Sequence, residues 1–80
     1  STRWTIAIIL GQVGDPRATD ELIEALSDQD PDIRRITLHA ISHIHGDRVR
    51  AAITQCLEDE DPKVRRDAAT ILEKLKKEDR

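Results

Sequence analysis

Three histidines, one cysteine and two arginine pairs are the residues whose types and spacing could carry chemistry in this chain. His39 and His43 stand four apart, so on a helix they share a face and could hold a transition metal between two ring nitrogens. His45 follows closely and could add a third nitrogen. The bland alternative is a solvated helix face, and it is the one expected, because no carboxylate sits at the spacing that accompanies such pairs in catalytic metal helices. No metal and no cofactor are therefore expected. Cys56 is expected to be a small buried residue; as a nucleophile it would need an activating base or cation beside it. Arg34-Arg35 returns as Arg65-Arg66, 31 positions later. A basic stripe reading phosphates is the functional option for these pairs, but Asp28, Asp30, Asp59 and Asp61 surround them at equal density and cancel the field. No Ser/His/Asp set or glycine-rich phosphate loop is present. The chain reads as a non-enzyme.

The positioning elements come from a repeat. Asp30-Pro31-Asp32-Ile33-Arg34-Arg35 recurs as Asp61-Pro62-Lys63-Val64-Arg65-Arg66, with apolar and charged positions both in phase. A period of this size marks a solenoid of stacked helix pairs. Apolar residues at three- and four-residue steps, punctuated by Asp-Pro and Gly-Asp, predict five helices near 2–13, 16–27, 31–44, 47–58 and 62–77. Asp15, Asp30 and Asp61 are the expected N-caps, each followed by a proline suited to the first helical position. Gly46 is expected to take a positive φ in the break at 45–47. The inward sets are Ile6, Ala7, Ile9, Leu10 and Val13; Ala18, Leu22, Ala25 and Leu26; Ile33, Thr37, Ala40, Ile41 and Ile44; Val49, Ile53, Cys56 and Leu57; and Val64, Ala68, Ile71, Leu72 and Leu75. Leu38 shares a column with Ala7 and Ala69. Nothing reads as a strand.

Composition narrows the class further. Eighty residues make one small domain, 1–80, or a piece of a longer array. A chain of this size buries only about 60% of its unfolded surface, which argues against a deep enclosed active site. Charged residues make up 36% and hydrophobic ones 38%, with Trp4 the single aromatic. No apolar run approaches the roughly 20 residues of a membrane span, and the start lacks the regions of a signal peptide. One cysteine precludes an internal disulfide and fits a reducing compartment, so a cytoplasmic location is expected. The net charge of -3 and an isoelectric point near 5.5 argue against nucleic acid as partner.

The pattern resembles the short HEAT-like repeats of the phycobilisome-lyase type. It is carried by Asp30-Pro31, Ile33-Arg34 and Ala40-Ile41, with Leu10-Gly11-Gln12-Val13-Gly14-Asp15-Pro16 and Leu22-Ile23-Glu24-Ala25-Leu26. Ser42 and Glu73 replace the helix-end glycine of that pattern, and His45 is an extra residue before Gly46. The resemblance implies an all-α, right-handed α-solenoid of about five antiparallel stacked helices, half a repeat plus two repeats. It also implies that the first arginine of each pair lies along the stack and bonds loop acids of adjacent units, a structural ladder of Asp30, Arg34, Asp61 and Arg65. Related hydroxylases bind iron through His-Glu pairs, and this chain has no such dipeptide.

Two outward columns complete the reading. Trp4 and Ile8 occupy columns that hold Arg35 and His39 in the second unit and Arg66 and Thr70 in the third. The chain opens on the second helix of a unit, so one face of that helix needs cover, from preceding repeats, from self-association or from a partner docking at this end. The resemblance implies a non-catalytic protein-binding scaffold that uses the second-helix surface, and the periodicity places Trp4, Ile8, Arg35, His39, His43, Arg66 and Thr70 on that face. A homo-oligomer through the N-terminal helix is the accompanying expectation, and tryptophan and arginine are common interface anchors. The alternatives are a lyase- or chaperone-like role on a prosthetic group, suggested by the family, and a metal- or nucleic-acid-binding module.

Overall fold

The structure, a computed structural model, describes residues 18–78. The expected helix at 2–13, the Asp15 cap with Pro16, and the end carrying Trp4 and Ile8 lie outside these residues. Within them the order is α1 (Thr19–Ala25), α2 (Pro31–Ile41), α3 (Asp47–Gln55) with a 3-10 turn (Cys56–Glu58), and α4 (Pro62–Glu78). No strand occurs among the described residues. The fold is all-α and solenoid-like. α1 packs on α2 and on α3, α2 packs on α4, and α3 packs on α4, so α1 and α3 form one layer and α2 and α4 the other.

The start of each second helix is built by the same two aspartates. Asp28 accepts a hydrogen bond from the Asp30 N–H through Oδ1, and Asp30 accepts one from the Asp32 N–H, both at 2.9 Å. One repeat later Asp59 accepts from Asp61, and Asp61 accepts from Lys63 at 2.8 Å and Val64 at 3.2 Å. Each relay occupies N–H groups that a helix start leaves without an internal partner, while Pro31 and Pro62 supply none. Gly46 precedes α3 at φ 140° and ψ 156°, a conformation open essentially to glycine alone. The positive φ is where the sequence placed it, but it serves the start of α3 rather than the end of α2.

Several boundaries differ from expectation. α2 stops at Ile41, three residues early, because the chain tightens there: the Ser42 hydroxyl donates to the His39 carbonyl at 2.6 Å, and Ile44 N–H reaches back only to Ile41 at 3.0 Å. α1 likewise ends at Ala25, and Leu26 and Ser27 form a turn. The expected helix at 47–58 becomes 3-10 over its last three residues. α4 runs to Glu78.

The core is the apolar period closed on itself. Leu22, Leu38, Ile41, Ile53, Val64 and Thr37 have almost no exposed surface, with Ala18, Val49, Cys56 and Ala68 around them. Thr37 is accommodated because its hydroxyl donates to the Ile33 carbonyl one turn back, at 2.7 Å. Five expected core positions, Ala25, Ile33, Ile44, Leu72 and Leu75, are only half-buried. Leu57 is a clearer correction: it is 37% exposed, whereas its repeat counterpart Leu26 is 7% exposed. The 3-10 turn steps about 120° per residue instead of 100°, which turns Cys56 inward and leaves Leu57 at the surface.

Candidate functional site

The two arginines of each pair part ways. Arg34, only 6% exposed, reaches back over the loop that precedes its helix, and its Nη1 donates to the carbonyls of Asp28 at 2.7 Å and Gln29 at 3.2 Å. Its Nη2 donates to Asp59 Oδ1 of the next loop at 2.9 Å. Nε lies 2.9 Å from Asp59 Oδ2, in charge contact but without hydrogen-bond alignment. One guanidinium thus ties two successive loops, and the planar fork suits both a carbonyl pair and a carboxylate. Arg65 repeats the first half of this arrangement, donating through Nη1 to the Asp59 and Glu60 carbonyls at 2.7 and 3.2 Å, and it is exposed. The acid that receives Arg34 is Asp59; Asp30 and Asp61 are placed as helix caps. Burial pulls the Asp61 carboxyl upward, but the Lys63 and Val64 N–H groups, with the charges of Arg34 and Lys63, bring it below its ordinary value.

The second-helix surface is formed by α2 and α4 side by side. His39, His43, Arg66 and Thr70 are exposed on it. Arg35 is drawn across instead: its Nε donates to Asp67 Oδ2 at 2.8 Å, and that hydrogen bond, reinforced by the charge, raises the guanidinium's pKa. His39 Nε2 stands 3.6 Å from the same carboxylate oxygen. Asp67 is therefore the centre of a small cluster that the sequence reading did not name. It occupies the column of Ile36, an apolar position in the preceding unit. That switch from isoleucine to aspartate was the available signal. Ile36 itself is 48% exposed.

Beyond this cluster, the C-terminal half of α4 and the turn after α2 enclose a groove of about 330 Å³. His39, His43 and His45 line it together with Lys74, Ile71, Leu75 and Glu78. The three histidines share this groove, yet among the described residues no group of three or more His, Cys, Asp or Glu side chains is arranged to hold a metal ion. Cys56 lies in a different recess, between the loops, beside Arg34 and Asp59. Burial pushes its thiol pKa up, the Asp59 charge adds to this, and Arg34 opposes it only in part. Such a thiol is a poor nucleophile at neutral pH.

Helix pairs in two layers, recurring every 31 residues and tied loop to loop by a buried arginine, define an α-solenoid of helix-pair repeats. The chain belongs to the HEAT repeats: residues 19–80 match that family, and residues 2–28 match the PBS lyase HEAT-like repeat. A search of curated proteins found no match. The chain is thus a repeat scaffold of a kind suited to protein interaction. No helix among the described residues is long and apolar enough to cross a membrane.

Proposed function

We propose that this chain is a non-catalytic scaffold that binds a protein partner on the surface of α2 and α4. The observation that carries the reading is the division within the arginine pairs and their neighbours. Arg34 is buried in the stack, while His39, His43, Arg66 and Thr70 stay exposed on adjoining helices. Side chains that the fold does not consume are the ones free to meet a partner. Trp4 and Ile8 continue the same columns in the sequence. A reducing compartment such as the cytoplasm accords with the lone Cys56. A lyase-like action on a prosthetic group would call on Cys56, whose burial and raised pKa weigh against it.

The test is site-specific photo-crosslinking in the native host. A photoreactive residue at Thr70 should trap a discrete protein partner, whereas the same residue at Ala51, exposed on α3 in the opposite layer, should not. Equal trapping from both positions, or none from Thr70, would overturn the proposal. Self-association through Trp4 and Ile8 is read separately from the emission of the single tryptophan over a dilution series. A blue maximum that moves red on dilution supports it, and a maximum that does not move contradicts it.

A further inference from the structure

The sequence distributes its thirteen Lys and Arg residues along the chain, but it holds only three histidines, and all three line one groove. His39 and His43 come from α2, His45 from the turn beyond it, and Lys74 faces them from α4. Ile71 and Leu75 are the apolar members of the lining. Two carboxylates lie near: Glu78 in the lining, and Asp67, whose Oδ2 already accepts from Arg35. With the imidazoles protonated, the lining carries four positive nitrogen-bearing groups against one carboxylate, whereas with them neutral the chain as a whole has a net charge of -3.

From this juxtaposition we propose that the groove receives an acidic peptide segment of the partner, one that sets an apolar side chain on Ile71 and Leu75 and a carboxylate beside His39, His43 and Lys74. This deepens the scaffold reading and rests on it. A groove of about 330 Å³ accommodates a few side chains and lies at the small end of ligand sites. The acidity of the rest of the chain disfavours an extended polyanion such as nucleic acid. Histidine gains its charge within the physiological range, so a bound carboxylate and imidazole protons favour each other's binding. Affinity must then rise as pH falls, with the Glu78 carboxylate in the lining opposing it.

The experiment uses a short capped peptide alternating Glu or Asp with Leu, and a control peptide with Gln and Asn in place of the acids. Each is titrated into the full chain at about pH 6 and about pH 7.5, following the histidine ring resonances. The acidic peptide should move the His39 and His43 signals and bind about fivefold more tightly at the lower pH, the scale of one or two screened charge pairs. The control peptide should be weaker by a similar factor at the lower pH. His39→Ala, His43→Ala and His45→Ala together, all exposed positions, should remove the pH dependence while leaving the helical circular dichroism unchanged. Equal affinity for the two peptides, or no ring shift at saturation, would overturn the acidic groove. Ring shifts of the same size with a duplex oligonucleotide at equal affinity would replace it with a nucleic-acid site. Loss of the groove with Thr70 crosslinks intact would remove this inference alone; loss of the crosslinks with peptide binding intact would remove the partner-face proposal.

Discussion

Arg34 and Arg65 make the same Nη1 bonds to the two loop carbonyls behind them, so they offer a comparison within one molecule. Only Arg34 is buried and also holds a carboxylate of the next loop. Removing one partner of a buried pair leaves the other desolvated and uncompensated, so Arg34→Ala should destabilise the chain by about 3 kcal/mol in chemical denaturation. Arg65→Ala, at an exposed site, should cost less than about 1 kcal/mol. Similar losses for both would mean that the Asp59 contact contributes nothing beyond the carbonyl bonds. Arg48 and Asp20 form an ion pair with both side chains well exposed, and neutralising either should be close to silent. Cys56 sits at the other extreme. Its buried, upward-shifted thiol should react with an aromatic disulfide reagent at neutral pH only as fast as the chain opens, and promptly once denatured. Prompt reaction of the folded chain would place the thiol at the surface.

The helices depend on how they begin. Asp30→Ala removes the acceptor for the Asp32 N–H and should cost about 1 kcal/mol, the usual value of an N-cap. Asp61 carries a pH signature as well. Its folded pKa lies below the ordinary 3.8, so the charged form is favoured in the folded chain. The stability it adds is complete well above 3.8 and is lost as pH falls through the depressed folded value. Asp61→Asn keeps an acceptor oxygen but not the charge. Its melting temperature should lie below the parent's near pH 7, and the two should converge in acid. A gap that widens in acid would reverse the sign. At Gly46 a Cβ meets nothing within 4 Å, so space is no obstacle, but φ of 140° is. Gly46→Ala should therefore destabilise by about 2 kcal/mol from backbone strain alone. The starts of α2, α3 and α4 were legible in the sequence because Asp-Pro and Gly-Asp announce them in the residues themselves. Ends were less so: the Ser42 hydroxyl bond that closes α2 early, and the 3-10 turn at 56–58 that turns Leu57 outward, are choices among local hydrogen bonds that periodicity does not encode.

At the scale of the whole molecule, the repeat made most of the architecture readable, since Leu22 and Ile53, or Thr37 and Ala68, are buried by the same layer one period apart. Ties between successive repeats were harder to see. Arg35 meets Asp67, one position off the period, in a column where the preceding unit has Ile36, so no repeat comparison could have paired them. The candidate surface was legible as a face of two helices; its groove was not, because it depends on where the turn after α2 places His45. On the proposed reading, each repeat divides its side chains between holding the stack and facing a partner. The most direct measurement is the denaturation free energy of Arg34→Ala beside that of the double substitution Arg66→Glu with Thr70→Glu, read together with partner trapping in the native host from a photoreactive residue at His43, exposed on the same surface. The account predicts a large loss of stability and a weakened stack for the first. For the second it predicts stability within about 0.5 kcal/mol of the parent, as expected of surface changes, and loss of the trapped partner. A double substitution as destabilising as Arg34→Ala would show that the second-helix surface is itself part of the structural framework, and the proposed division of roles would be wrong.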